Sequence, residues 1–346
     1  MTPEDAQAHI AATDPRFALT EAVIGGIRYP VFANAPAHLR LLLEEAAPLY
    51  GDRHALVYQD ERWTHAELCR DVRRVANALV DDLGVRPGDP VAIAMRNYPE
   101  LPILILAVAA LGAVAVPMNA WWSEQELAYG LKDCGARLVF ADGPRHQRIG
   151  KFAADNNVTL IAVRDAQGAP RYEALRDGGR DDHWPDVAIQ PDDDFAVLYS
   201  SGSTGNPKGA TLTHHNILNN GYFVAESQLL TEKDRLVIPV PLYHCFGMVM
   251  GNLGCTSTGA TMVIPGDAFD PVAVLAAVEK ERCTALYGVP TMFVAELALP
   301  NFDDFDLSSL RTGVMAGSLC PEDAMIACVE KMHMVDVTNC YGMTET

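Results

Sequence analysis

Positive charge is scarce in this sequence. Its 346 residues hold 26 lysines and arginines against 45 aspartates and glutamates, a formal net charge of −19. A nucleic-acid partner needs a basic footprint, so that class is set aside. Metal-ligand spacing is missing too. The eight cysteines are scattered without a Cys-x-x-Cys pair, and His214-His215 and His244-Cys245 are adjacent pairs rather than the spaced ligands of a zinc site. In a chain this long such cysteines read as reduced, mostly buried thiols, and a cytoplasmic location is expected. The acidic start Met1-Thr2-Pro3-Glu4-Asp5 has no apolar h-region, so no secretory signal is read. No apolar run of membrane length is unbroken. Leu101 to Met118 comes nearest, but Pro102, Gly112 and Pro117 punctuate it. It reads as a buried helix to Leu111, a Gly112 cap and a short buried strand Ala113 to Val116, not as a transmembrane segment. No internal repeat or low-complexity tract stands out.

What the chain does have is apolar residues, 49% of the total, enough for substantial cores. The length suggests about two domains. Residues 1–35 read as an irregular, peripheral segment. Residues 36–190 read as a first α/β lobe: an amphipathic helix from Pro36 to Tyr50, a hairpin of His54–Tyr58 with Arg62–Thr64, and a helix to about Leu83 opened by the capping box Thr64-x-x-Glu67. A strand Val91 to Met95 follows. A second capping box, Ser123-x-x-Glu126, opens a helix to Cys134, and a strand Leu138 to Ala141 comes next. The polar stretch Asp142 to Asp194 reads as the joint between lobes. Residues 191–346 read as a second lobe, with strands near 195–199, 236–240, 260–264, 283–287, 311–316 and 335–340 alternating with helices such as Pro271 to Lys280 and Pro321 to Met332. The fold class is therefore α/β, two lobes of mainly parallel sheets flanked by helices.

One segment carries chemistry on its face: Ser200-Ser201-Gly202-Ser203-Thr204-Gly205-Asn206-Pro207-Lys208-Gly209. It follows the strand Phe195 to Tyr199 and precedes Thr213 to Ser227, which can start a helix. Glycines let backbone N–H groups turn toward an anion, hydroxyls add donors and lysine adds a charge, so the segment reads as a polyphosphate loop. It is not a Walker A loop, because the second glycine would fall at Pro207 and Lys208 is followed by Gly209. Neither a dinucleotide G-x-G-x-x-G nor a G-x-S-x-G elbow is present.

Tyr199-Ser200-Ser201-Gly202-Ser203-Thr204-Gly205-Asn206-Pro207-Lys208-Gly209 closely resembles the signature loop of the adenylate-forming enzymes: acyl-CoA synthetases, peptide-synthetase adenylation domains and luciferases. Three further motifs follow in the order of that family. Pro241-Leu242-Tyr243-His244-Cys245-Phe246-Gly247-Met248 is similar to its aromatic/His motif, Met315-Ala316-Gly317-Ser318 to its adenine-contacting turn, and Tyr341-Gly342-Met343-Thr344-Glu345-Thr346 to its Y-G-x-T-E motif. The resemblance runs from about Pro36 to the last residue. Tyr287-Gly288-Val289-Pro290-Thr291-Met292-Phe293 and the Ala-Gly-Ser turn look most like medium-chain fatty acid–CoA ligases.

The resemblance implies ATP-dependent activation of a carboxylic acid through an acyl-adenylate, then thioester formation with coenzyme A. It implies that Ser201, Gly202, Ser203, Thr204 and Gly205 cradle the leaving pyrophosphate and that Lys208 steadies the loop or the phosphates. Thr344 would touch the α-phosphate and Glu345 would hold Mg2+. Tyr341 would stack on adenine, with Gly317 and Ser318 along its edge and Gly342 among the nucleotide-binding residues. His244 would sit at the junction of carboxylate and α-phosphate. Amino-acid-activating members carry an aspartate in the motif that here holds His244. No acid lies between Pro239 and Gly254, so an α-ammonium would be left unpaired and a fatty or other apolar acid is expected. Met248, Val249, Met250 and Leu253 suit an acyl chain but suit an ordinary core equally.

Family members continue well past the position of Thr346, through a ribose-binding Asp motif, a hinge and a small domain carrying a catalytic lysine. The chain is therefore expected to be an N-terminal portion, weak or silent in catalysis alone. Two other readings stand beside the ligase: a non-catalytic nucleotide- or acyl-binding module, and an amidase-type serine hydrolase. The hydrolase would need an upstream catalytic lysine in a Ser-Ser setting, which neither Lys132 nor Lys151 offers.

Overall fold

The computed structural model describes residues 2–200 and 205–345. Two large sheets organise it. The first has six strands in the order Gly209–Thr213, Asp194–Tyr199, Val114–Pro117, Pro90–Ala94, Leu138–Ala141, Thr159–Ala162. Only the pair Gly209–Thr213 and Asp194–Tyr199 is antiparallel. The second has seven strands in the order Asp336–Cys340, Thr312–Ala316, Ala285–Gly288, Arg235–Val237, Thr261–Ile264, His54–Tyr58, Glu61–Thr64. It is parallel except for its last hairpin.

Side-chain alternation along the strands shows how the layers stack. In the second sheet Leu56, Leu236, Met262, Tyr287 and Val314 enter one core, while Val57, Val237, Val263, Leu286 and Met315 enter another. In the first sheet Val91, Ile93 and Phe140 join that same first core, while Ala92, Val116 and Val139 face a third. Period-two alternation with both faces buried requires cover on both sides of each sheet. The shared core holds helices Leu39–Tyr50, His65–Asp81, Glu100–Ala110 and His214–Ser227 between the sheets. The outer layers are helices Glu124–Cys134 and Gly143–Asn156 on one side and Pro271–Glu281, Pro290–Leu297 and Glu322–Met332 on the other. Every residue of Glu100–Ala110 is buried, as befits a helix apolar all round in a middle layer. No described helix is long and apolar enough to cross a membrane.

Both capping boxes form: the Thr64 side chain accepts from Glu67 N at 3.2 Å while Glu67 accepts from Thr64 N at 2.9 Å, and Ser123 and Glu126 do the same. Other expectations are corrected. The first thirty residues are not irregular. Helix Pro3–Thr13 and a hairpin of Leu19–Ile24 with Ile27–Phe32 occupy them, turning at Gly25-Gly26 with φ of +55° and +82°. Phe32 anchors this hairpin by stacking on Phe223 at 5.4 Å between centroids. The stretch after Asp142 is not a joint. It forms helix Gly143–Asn156, the edge strand Thr159–Ala162 and helix Tyr172–Gly178. Nor does the chain divide into lobes at 190. His54–Tyr58 belongs to the second sheet, because it pairs in parallel with Thr261–Ile264, while Asp194–Tyr199 and Gly209–Thr213 belong to the first.

Candidate functional site

Four adjacent strands of the second sheet run parallel in the order Asp336–Cys340, Thr312–Ala316, Ala285–Gly288, Arg235–Val237. From their carboxyl ends leave Tyr341–Glu345, Gly317-Ser318, Val289-Pro290 and the segment 238–244. Segments far apart in sequence thus reach one edge, the edge where open parallel sheets bind ligands.

His244 stands where the last of these turns into a helix. Its N–H donates to Pro241 O at 3.2 Å, and its ring Nδ1 accepts from Phe246 N at 3.2 Å. With Nδ1 occupied as an acceptor, the neutral ring carries its proton on Nε2. The residue is exposed, yet the protein around it desolvates the ring and holds its pKa below 6.5. The helix that follows, Phe246–Leu253, is a π-helix, a form that concentrates at functional sites. Gly247 makes its first turn possible, since a Cβ there would overlap Pro241 O. The expected acyl-wall residues Met248, Val249 and Leu253 are buried in the shared core, and Met250 packs partly buried against it.

Cys245 joins two motifs. Its Sγ lies 3.5 Å from His244 Nδ1. Burial pushes its thiol pKa up, a hydrogen bond with the Thr344 side chain opposes that, and the nearby Glu345 charge adds to it. The structure therefore brings His244, Cys245, Thr344 and Glu345 together. Beside them, Gly317 has φ +93°, and a Cβ there would press Val289 Cγ1 at 3.0 Å, so glycine is required on both counts. Tyr341 is 95% exposed. It is not a core aromatic, and its ring is free to act as a stacking face. Gly342, Ser318 and Glu345 are exposed as well.

Phosphate-loop geometry departs from expectation. Strand Gly209–Thr213 intervenes between the loop and helix His214–Ser227, and Thr213 caps that helix by accepting from Asn216 N at 3.3 Å. Five extended residues span about 16 Å, so the helix N-terminus stands away from the loop. The strands on either side of the loop pair instead as antiparallel neighbours. Tyr199 pairs with Gly209, and Ser200 N donates to Lys208 O at 2.9 Å. Lys208 and Gly205 are exposed, and Tyr129 OH donates to Pro207 O at 3.3 Å. Ser201, Gly202, Ser203 and Thr204 lie outside the described residues, as does Thr346. The hairpin leaves the carboxyl edge of the first sheet, the same edge from which Arg96 and Asn97 reach the segment before His244.

Between those edges lies a recess of about 220 Å³, lined by Arg96, Asn97, Trp121, Tyr243, Asp267 and Met292 among others. Arg96 pairs with Asp267 at 2.9 Å and lies over the Trp121 ring at 4.8 Å. Burial pushes the Tyr243 hydroxyl up to about 12, with Arg145 pulling the other way. A more polar recess of about 270 Å³ with His54, Arg235 and Thr261 opens at the amino ends of three strands, the edge away from every motif. Among the described residues no group of three or more His, Cys, Asp or Glu gathers as a metal site. Glu345 by itself suits a Mg2+ ion, which takes one or two carboxylates and completes its shell with phosphate and water oxygens. Sequence reasoning missed Asn97 and the π-helix. One asparagine in Met95-Arg96-Asn97-Tyr98 gives no spacing signal.

Comparison with known proteins agrees with this geometry. The family model described as AMP-binding enzyme matches residues 43–346. The chain is 42% identical over 333 residues to YngI of Bacillus subtilis, a protein provisionally named an acyl-CoA synthetase, covering 88% of this chain and 60% of that one. It is 32% identical over 363 residues to the mitochondrial medium-chain acyl-CoA ligase ACSF2 of Homo sapiens, covering 93% of this chain and 58% of the relative. Among solved structures, the anthranilate CoA ligase AuaEII in complex with anthranoyl-AMP superposes with a TM-score of 0.84 at 26% identity, covering 90% of this chain and 61% of that one. The chain thus spans about three fifths of the length of these relatives. A family match over residues 43–346 leaves no place for the amidase reading, and the chain belongs to the AMP-binding enzyme family, the adenylate-forming acyl-CoA synthetases and their relatives.

Proposed function

We propose that the protein carrying this chain is an AMP-forming acid–CoA ligase acting on a fatty or other apolar carboxylic acid. The observation that carries the proposal is the meeting of His244-Cys245 with Thr344-Glu345 at the carboxyl edge of one parallel run of strands, beyond Arg235–Val237 and Asp336–Cys340, with two strands between them. A carboxylate is a poor electrophile. Its oxygen attacks the α-phosphorus of ATP, the bond from that phosphorus to the α,β-bridging oxygen breaks, and pyrophosphate leaves with the bridging oxygen and the electron pair. The acyl-adenylate then passes its acyl group to the thiol of coenzyme A, and AMP leaves. The chain's own residues would position reactants and offset charge that spreads in the transition state.

His244 would present Nε2–H to the shared oxygens of carboxylate and α-phosphate, a role favoured by its neutral ring and fixed tautomer. Thr344 would donate to the α-phosphate, and Tyr341 would stack on adenine with Gly317, Ser318 and Gly342 along its edge. Ser201 to Gly205, with Lys208, would take the pyrophosphate end. Glu345 would hold Mg2+, which supplies positive charge against the phosphates. The absence of any acid between Pro239 and Gly254 favours apolar acids over α-amino acids. That AuaEII was solved with an acyl-adenylate supports the reaction order. Free thiols throughout favour a reducing cytoplasmic setting.

A non-catalytic nucleotide-binding module would keep the same shape without the chemistry. The Glu345→Gln variant separates the two readings in the full-length protein. It should keep the fold and lose most acid-dependent ATP–pyrophosphate exchange, about 100-fold or more. Exchange equal to wild type at limiting Mg2+ would remove Glu345 from the site.

A further inference from the structure

The two sheets must be held in register where acid and nucleotide would react, and one buried side chain joins them there. Asn97 follows strand Pro90–Ala94 of the first sheet and is 4% exposed. Its Nδ2 donates to Val240 O at 2.9 Å, and its Oδ1 accepts from Leu242 N at 2.9 Å. Its own N–H donates to Asp267 O at 3.2 Å. Val240 and Leu242 belong to the segment that leaves the second sheet for His244.

That segment cannot be held as a strand would be. Ile238 N still donates to Val263 O at 2.9 Å, but positions 239 and 241 are prolines and bring no donor. A carboxamide carries the same donor and acceptor as a peptide unit. Asn97 therefore stands in for a neighbouring strand over one repeat, taking the C=O of Val240 and the N–H of Leu242. Pro241, held between those two contacts, accepts from His244 N at 3.2 Å and is the surface on which Gly247 packs. Three short links thus run from the first sheet to the His244 backbone.

We infer that Asn97 is a positioning residue for His244: from the first sheet it fixes the peptide that sets the imidazole in the crevice between the sheets. The inference rests on the acid-activating reading and names a residue that this reading needs. The amide is the one side chain of its size that serves both partners. Aspartate would set a carboxylate oxygen against Val240 C=O. Alanine would leave a buried N–H and a buried C=O unpaired, a loss that the active geometry feels first because the segment is otherwise tied only at its ends.

The test uses the full-length protein with Asn97→Ala, His244→Ala and the double variant. Hydrogen–deuterium exchange at the Leu242 amide should accelerate roughly 10- to 100-fold in Asn97→Ala, with the Thr261–Ile264 amides unchanged. In acid-dependent pyrophosphate exchange, kcat should fall by roughly 10- to 100-fold while the KM for ATP stays within about twofold. The double variant should be no slower than His244→Ala, because both changes remove one contribution. Should Asn97→Ala fail to fold, Asn97→Ser gives the same two readouts. Losses that multiply in the double variant, or ATP and acid affinities that fall together with the melting temperature, would mark Asn97 as merely structural and overturn the inference. A wild type that exchanges with no acid would defeat the activity reading itself. The Leu242 amide then decides alone, and unchanged protection in Asn97→Ala overturns the clamp.

Discussion

His214 shows how a residue can look functional in sequence and act through burial. It is fully buried, its Nδ1 accepts from Leu39 N at 3.3 Å, and Phe195 stands edge-on at 5.0 Å. Its Nε2 has no hydrogen-bond partner among the described residues. Burial, reinforced by His38 and opposed by Asp193, brings its pKa down to about 4. The unfolded chain takes up this proton near 6.5. Between 6.5 and 4 the unfolded state therefore holds more protons, and stability falls as pH falls. The contribution is fully present above 6.5, and about 2 kcal/mol of it is gone at pH 5. Urea midpoints at pH 7 and pH 5 should thus separate further for wild type than for His214→Asn, and equal pH slopes would refute this role. Nothing in His214-His215 told which ring is buried. For His244 the neighbours Tyr243-His244-Cys245-Phe246 were informative through their resemblance, but the contact of Cys245 with Thr344 depends on the order of four parallel strands.

Elements set by local chemistry were legible. Both capping boxes form at the places where their Ser/Thr and Glu residues predicted them, and the apolar run after Pro99 is a buried helix followed by a strand. Elements set by distant partners were not. Gly209-Ala210-Thr211-Leu212-Thr213 has strand-like residues, yet its pairing with Asp194–Tyr199 is what keeps it from joining the helix after it. The N-terminal hairpin was missed too, its two strands meeting at the turn Gly25-Gly26 in a stretch read as irregular. The π-helix Phe246–Leu253 had no signal in the sequence; within it Gly247 approaches Pro241 and Gly251 approaches Ile238 too closely for a Cβ. Gly247→Ala should push that first turn off Pro241 and displace His244. Acid-dependent exchange should drop by about tenfold or more, while ATP binding by calorimetry stays near wild type. An exchange rate like wild type would show that the close approach does not set the His244 position.

At the scale of the whole molecule, alternation of strands and helices gave the fold class but not the division of the chain. Parallel pairing lets strands remote in sequence become neighbours, and nothing local tells that His54–Tyr58 will join Thr261–Ile264. The sheets share one core that includes Leu56, Leu104, Phe195, Ile238 and Tyr287, so they should fold together. A fragment of residues 36–190 holds strand His54–Tyr58 without its parallel neighbour Thr261–Ile264 and lacks Asp194–Tyr199 from the first sheet. It should be protease-sensitive, without a cooperative thermal transition. A sharp transition and a protected 36–190 core would restore the sequential division. That shared arrangement is what carries three of the motifs to the carboxyl edge of the second sheet, and its purpose in this account is activation of an apolar acid. The most direct measurement is ATP–pyrophosphate exchange by the full-length protein across a panel of medium-chain fatty acids and α-amino acids. The account predicts exchange that depends on the apolar acid and is lost in His244→Ala. Exchange driven better by amino acids, or none with any acid, would contradict it.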